Sequence, residues 1–312
     1  MPHKILISTS SFDVDGNPAL QRLAAQGFEI VLNPHGRRLS EAEAQTLLGD
    51  GVVGMIAGVE PLTRNVLSSA MNLKVISRCG TGMDSVDAGA AAELGILLKN
   101  TPDAPARAVA ELTLGMMLGI LRRLPEADRG IRAKQWAPLM GRLLSEQTVG
   151  LIGFGRVGRR VARLVRAFGA KVIAFDTQAV PAEDGVEFKS MDEVIRSADV
   201  LSLHVAYQSE LRHLLNAARF ATMKKGAVVI NAARGGLIDE AALIQSLQSA
   251  HLAGAALDCF EKEPYDGPLA TMPQVVLSAH MGSYAKEARA LMEREAAENL
   301  LTGMSAKGLV KD

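Results

Sequence analysis

Cysteine is scarce in this chain, and neither sign of charge is in excess. Cys79 and Cys259 are its only cysteines. So far apart, they make neither a metal-ligand spacing nor a disulfide framework, as suits a reducing, cytoplasmic compartment. No metal site is expected. Thirty-four basic residues balance thirty-four acidic ones, which argues against an extended nucleic-acid surface or a polybasic membrane anchor and leaves room only for local charge. No Pro/Ser-rich stretch or single-sign charge block interrupts the chain, so no flexible tail is expected. The amino terminus, MPHKILIST, enters a strand almost at once and has no signal-peptide core. No apolar run is expected to reach the roughly 18 residues that span a bilayer. What is present is apolar material, 48% of 312 residues, enough for two cores of about 100 to 200 residues each.

The first hundred residues alternate short apolar strands with helical segments. KILIST precedes PALQRLAAQG, FEIVLN precedes SEAEAQTLLG, VVGMIAG precedes TRNVLSSA, and KVISRCG precedes VDAGAAAELG. This βαβα rhythm predicts a parallel sheet with helices on both faces. The first strand-helix turn, Ser8 to Ser11, carries no glycine fingerprint, so this unit is expected to supply substrate contacts. From Thr148 the rhythm repeats with six strand candidates: TVGLIG, KVIAFD, DVLSLHV, AVVINAA, AGAALD and VVLSAH. Between the two lies one long helical stretch, VAELTLGMMLGILRRLPEADRGIRAKQW, with Leu112, Met116, Leu118 and Leu121 at helical spacing. An ordinary core helix accounts for that spacing, and a contact with a second subunit is the other reading. The final helical segment, KEARALMEREAAENLLTGM, has no strand after it and is expected to return to the first lobe. The domains are then 1–99 with 283–312, enclosing 100–282.

Mid-chain, VGLIGFGRVGRRVARL sets Gly153, Gly155 and Gly158 between an apolar strand and a helix. Such a loop lets backbone approach a pyrophosphate, whose charge meets the amides and positive dipole end of the helix. The next strand, KVIAFD, ends at Asp176, about 20 positions on, where a carboxylate can hold a ribose 2′-hydroxyl. Behind this unit, three polar residues follow successive strands: Arg234 after VVINAA, Glu263 after AALD, and His280 after VVLSA. A guanidinium offers a planar fork to a substrate carboxylate. A histidine with a carboxylate partner serves as an acid or base near neutral pH. Hydride exchange between an alcohol and a nicotinamide needs these parts. Structural roles are expected for His3, His35, His213 and His251. His204, after DVLSL, is read as a contact to the cofactor. Asp258 either bonds the nicotinamide carboxamide or caps the next turn, and Cys259 is expected in the core.

At these residues the chain resembles the D-2-hydroxyacid dehydrogenase family, especially its phosphoglycerate dehydrogenase and glyoxylate/hydroxypyruvate reductase branches. The likeness runs through SRCGTGMDSVD, NTPDAPARAVAEL, GLIGFGRVG, VVINAARGGLIDEAAL, ALDCFEKEP and LSAHMGS. It implies a Rossmann nucleotide-binding domain inserted in a flavodoxin-like substrate domain, both doubly wound parallel α/β sheets. It implies that Arg234 binds the substrate carboxylate and carbonyl, that His280 is the acid/base, and that Glu263 orients it. Along the dinucleotide it places Gly153, Gly155, Arg156, Val157, Gly158, Asp176, His204, Ala232, Ala233, Arg234, Asp258, His280 and Gly282. Backbone amides around Cys79, Gly80 and Thr81 are implied to grip the substrate acid. A homodimer through the nucleotide-binding domains is implied as well, with no nucleic-acid or membrane partner.

Asp176, followed by Thr177 and Gln178, predicts NAD rather than NADP, because its carboxylate repels a 2′-phosphate and no arginine follows it. Phosphoglycerate dehydrogenases typically carry an arginine just after the third strand. Here that position reads Ala57, Gly58, Val59, Glu60. A carboxylate near a phosphate costs binding, so 3-phosphoglycerate stands level with other small D-2-hydroxy acids. The resemblance also extends to dinucleotide-sensing corepressors, interaction proteins that retain the same trio.

Overall fold

A computed structural model describes residues 3–49, 51–178 and 183–310. The chain divides into two compact units, one running to Pro105 and resuming at Ser283, the other Ala106–Gly282. The sequence expectation set the first crossing at 99/100. Asn100 to Pro105 stay with the first unit, where Thr101 is fully buried, with its hydroxyl accepting from Gly80 N at 2.8 Å.

In the first unit β1 (Lys4–Ile7), α1 (Pro18–Ala25), β2 (Glu29–Leu32), α2 (Glu41–Leu47), β3 (Val52–Ala57), α3 (Arg64–Ser69), β4 (Val75–Arg78), α4 (Ala88–Glu93) and β5 (Leu97–Asn100) alternate. The sheet order is β2-β1-β3-β4-β5, and every pairing is parallel. β5 was absent from the strand expectation. Only Ile96, Leu97 and Leu98 precede Lys99 and Asn100, too short an apolar run to announce a strand by itself. The helices start where their caps direct. Ser40 and Glu43 form a reciprocal capping box on α2, and Asp87 accepts from Ala90 N at the start of α4.

α5 (Ala104–Leu121) and α6 (Leu124–Arg132) replace the single long helix expected between the units. Pro125, near the start of α6, cannot continue a helix from upstream because it lacks an N–H and crowds the preceding turn. Arg123 turns the chain there with a left-handed φ of 53°. α5 also overturns the expectation about apolar runs: its 18 residues average a hydropathy of 1.3, enough by length and composition to cross a membrane. That span is 56% buried, and Met116, Met117 and Leu121 pack in the core of the second unit. α6 buries none of its residues.

The second unit continues with β6 (Thr148–Ile152), α7 (Arg156–Ala167), β7 (Lys171–Phe175), β8 (Val186–Phe188), α8 (Met191–Ser197), β9 (Val200–Leu203), α9 (Ala217–Thr222), β10 (Val228–Asn231), α10 (Glu240–Gln248), β11 (Gly254–Leu257) and β12 (Val275–Leu277). Seven strands lie in the order β12-β11-β10-β9-β6-β7-β8, one more than expected. The extra strand, β8, is an edge of three residues, one of them Glu187, without the buried apolar run that marks its neighbours. β6, β9, β10 and β11 are buried on both faces, apart from Thr148, the pattern of a parallel sheet covered by helices on either side. The topological switch falls between β6 and β9, whose following loops diverge to opposite sides. The last helix, α11 (Lys286–Ala306), packs on β3, β4 and β5 of the first unit. Met292, Ala296, Leu300 and Met304 line that core.

Candidate active site

The glycine loop sits at the carboxyl end of β6, beside the switch point, and each glycine answers a different steric demand. Gly153 has a φ of 97°, and a Cβ there would come within 2.6 Å of the His204 carbonyl. Gly158 passes so close to the Gly153 carbonyl that no side chain fits. At Gly155, the N-cap of α7, a Cβ would meet nothing within 4 Å, and no side chain caps the helix. Turn, close packing and open approach are the three tasks of a pyrophosphate cradle. The uncapped amides and dipole of a twelve-residue helix point into that opening. The residues present therefore fit a dinucleotide.

Asp176 closes the loop from β7. One carboxylate oxygen accepts from Phe154 N at 2.7 Å and the other from Gln178 N at 2.9 Å. Beside it lies a cavity of about 460 Å³ lined by Phe154, Gly155, Asp176, Gln178 and four arginines of α7, Arg156, Arg159, Arg160 and Arg163. Of these, Arg156 is expected along the dinucleotide, whereas Arg159, Arg160 and Arg163 escaped the sequence reading because they precede Asp176. Their spacing of three and four residues along one helix face was the signal. Across the switch point, the half-buried His204 sits 2.9 Å from Ser202 Oγ through Nε2. Burial pushes its imidazole down to about 4, so it is neutral at physiological pH and suited to contact rather than charge.

The three candidate catalytic residues follow β10, β11 and β12, which are sheet neighbours in that order. Asn231, 1% exposed, shapes the first loop. Its side chain donates to Arg234 O at 2.9 Å and accepts from Ala233 N at 3.0 Å, while Arg234 Nη1 donates to Ala233 O at 2.8 Å. After β12, His280 adopts a left-handed φ of 50°, a conformation that costs a non-glycine residue roughly 1–3 kcal/mol. Asp258 holds it there. Its carboxylate, in a side chain only 2% exposed, accepts from Ser278 Oγ at 2.5 Å, Met281 N at 2.8 Å and Gly282 N at 2.8 Å. Its carbonyl takes His280 N at 2.7 Å. Of the two roles read for Asp258, the structure shows the cap, and it engages both carboxylate oxygens.

Glu263 meets His280 directly. Nδ1 lies 2.9 Å from one carboxylate oxygen and 3.0 Å from the other, and Phe260 N donates to the same carboxylate at 3.1 Å. That pairing leaves Nε2 as the ring atom that can exchange a proton with a ligand. The neighbouring Cys259 thiol is buried and pushed up, first by desolvation and then by Asp258, with Arg234 opposing and Glu263 adding to the rise. All three charges thus act on one point, and Cys259 is a core thiol as expected. The other four histidines have structural partners. His3 stacks on Phe28, His35 lies 3.6 Å from Glu43, His213 bonds Glu261 at 2.5 Å, and His251 Nε2 lies 3.0 Å from Phe220 O.

The expected substrate trio lies in the first unit. There the Cys79 amide donates to Ala57 O at 2.9 Å, and the Gly80 amide donates to Thr101 Oγ1. Two of the three amides are therefore engaged within the unit, and Thr81 is the exposed member. Burial pushes the Cys79 thiol up to about 11, which leaves it protonated.

Fold and loop together define a two-unit α/β protein with a dinucleotide-binding sheet. Residues 114–282 match the model of the D-isomer specific 2-hydroxyacid dehydrogenase, NAD binding domain, and the chain belongs to that family. It is 33% identical over 312 residues to a D-3-phosphoglycerate dehydrogenase of Bacillus subtilis, covering 98% of this chain and 57% of that protein. It is 35% identical over 268 residues to a hydroxypyruvate reductase of Thermotoga maritima, covering 84% and 88%. A glyoxylate reductase structure from Paecilomyes thermophila superposes with a TM-score of 0.87 at 30% identity, covering 98% and 96%. The chain spans about half the length of the curated phosphoglycerate dehydrogenases it matches.

Proposed function

We propose that this protein moves a hydride between NAD and C2 of a small D-2-hydroxy acid or its 2-oxo acid. The observation that carries the reading is the Glu263–His280 pair, at 2.9 Å, which follows β11 and β12 of the same sheet whose β6 loop is the glycine cradle. Bound NAD supplies or accepts the hydride. Gly153, Gly155, Gly158 and the α7 amides hold its pyrophosphate, and Asp176 its adenosine ribose. Arg156, Val157, His204, Ala232, Ala233, Asp258 and Gly282 line its path. In the reducing direction, protonated His280 gives a proton from Nε2 to the keto oxygen as the negative charge there develops. Glu263 keeps the ring oriented and balances its charge, and Arg234 clamps the carboxylate with its planar fork. Oxidation runs the same steps backwards, with His280 Nε2 taking the hydroxyl proton as the hydride leaves C2.

Relatives named D-3-phosphoglycerate dehydrogenase and hydroxypyruvate reductase point to two acids, 3-phosphoglycerate and hydroxypyruvate. An NADH-oxidation screen across glyoxylate, hydroxypyruvate, pyruvate and phosphohydroxypyruvate tests the reading. At least one is expected to be reduced, and His280→Ala is expected to lose about 10²- to 10⁴-fold in kcat while still binding NADH by fluorescence titration. Turnover of none of them, with retained NADH binding, would favour a dinucleotide-sensing interaction protein instead. Near wild-type kcat in His280→Ala would remove the histidine from the mechanism.

We further propose a homodimer. Leu124 and Ile131 of α6, then Trp136, Met140 and Leu143, are 54–89% exposed within the second unit, an apolar run that a second copy would cover.

A further inference from the structure

The chain between β9 and α9 runs past the two loops that carry Arg234 and Glu263, and His213 touches both. Its amide donates to Gly236 O at 2.8 Å, two residues beyond Arg234 in the loop after β10. Its ring Nε2 lies 2.5 Å from Glu261 Oε1, two residues before Glu263 in the loop after β11. An ionised carboxylate only accepts, so Nε2 donates. His213 holds a left-handed φ of 54°, a backbone state that a non-glycine residue keeps where its surroundings over-determine it. Leu215 extends the same seam. Its amide donates to Leu237 O at 2.9 Å, and Asp239 N donates back to Leu215 O at 2.9 Å.

The loop after β11 is fastened at Glu261 by both backbone and side chain. Glu261 N donates to Glu240 Oε1 at 2.8 Å, and its carboxylate takes His213, with Arg212 Nη2 3.7 Å away. Asp239 stands 4.0 Å from His213 Nδ1 on the other side of the ring. The two loops also touch each other: at Gly235 no side chain fits, because the Phe260 carbonyl group fills that space. A shift in either loop therefore passes to the other. The His213 and Glu261 side chains are 30% and 33% exposed, and an ion pair so open to water adds little to stability. What the pair supplies is position.

We propose that His213 is a positioning residue for the Glu263–His280 pair. By gripping Glu261 while its own amide is tied to the Arg234 loop, it sets how far the loop after β11 stands from the loop after β10. That spacing decides where the Glu263 carboxylate meets His280 Nδ1. This rests on the hydride-transfer reading above. The structural role expected of His213 from the sequence thus reaches a reacting group that its side chain does not touch. The leverage is large, because misplacing a catalytic group by about 1 Å costs on the order of 10²-fold in rate.

The test measures kcat and KM, with an acid found by the NADH-oxidation screen, in wild type, His213→Ala and His213→Gln. A glutamine amide can donate to Glu261 from nearly the place of Nε2, whereas alanine cannot. His213→Ala should lose at least about tenfold in kcat with KM for NADH within about twofold of wild type, and His213→Gln should restore most of the loss. A smaller loss, or one that His213→Gln leaves in place, overturns the proposal. Two-bond proton–nitrogen NMR spectra of the histidine rings give a reading independent of turnover, with His280 assigned by its absence in His280→Ala. The His280 Nδ1 signal should move in His213→Ala and return in His213→Gln, and an unmoved signal overturns the assignment. If no acid is reduced, the hydride-transfer reading fails, while these spectra still decide the role of His213. Should His213→Ala not fold, Glu261→Ala takes its place. It should lower kcat and move the His280 signal in the same way, and wild-type values for either overturn the proposal.

Discussion

Asp176 carries opposite consequences for the two nicotinamide cofactors because of what surrounds it. Its carboxylate faces a cavity to which α7 contributes four arginines, all of them already engaged. Arg159 bonds Phe154 O at 3.2 Å, Arg160 bonds Arg156 O at 3.0 Å, and Arg163 pairs with Glu183 at 2.9 Å. With Asp176 in place, a 2′-phosphate meets a fixed negative charge, and NAD is favoured. Asp176→Ser removes it from an otherwise cationic lining, so kcat/KM for NADPH relative to NADH should rise about a hundredfold, measured at fixed substrate. His204 gives a second prediction at this scale. Its folded value near 4 lies below the ordinary histidine range, so the unfolded chain binds the extra proton first as acid is added. Stability from this residue is whole above about pH 6.5 and is lost as the pH falls toward 4. Urea unfolding across that window should show a shallower acid decline in His204→Asn than in wild type.

The loop after β12 shows how one element is held in a conformation it would otherwise leave. Three donors, Ser278 Oγ and the amides of Met281 and Gly282, converge on the buried Asp258 carboxylate, and His280 between them keeps its left-handed φ. Asp258→Ala would strand those donors. It should cost roughly 2–4 kcal/mol of stability and lower kcat more than it raises KM, as the ring leaves Glu263. Thermal melting and steady-state kinetics on one preparation check both. A change in KM alone would mean that Asp258 serves binding and not the His280 loop. The break between α5 and α6 is likewise an element-scale event, made by Pro125 in a run that hydrophobic periodicity alone reads as continuous.

For the whole molecule, the exposed apolar segment from Leu124 to Leu143 makes the oligomer testable. Light scattering should return about twice the 33.1 kDa chain mass for wild type, and Trp136→Asp with Met140→Asp should shift it to one chain. A wild-type mass of one chain would withdraw the dimer. Much of the architecture was legible from local pattern. Period-two and period-3.6 runs gave the two βα series, the glycines and Asp176 announced the dinucleotide, and Arg234, Glu263 and His280 stood out as polar residues after buried strands. Those features are carried by residues close together in the chain, where sterics and hydrogen bonding act without tertiary help. β5 and β8 escaped because short edge strands with charged residues gain their stability from neighbours, not from their own sequence. The cap role of Asp258 and the arginine wall beside Asp176 needed strands and helices to be set side by side. Glu60 depended on it most. Its hydrogen bond to Ser8 joins residues 52 positions apart, and only the pairing of β1 with β3 decides that its carboxylate is buried.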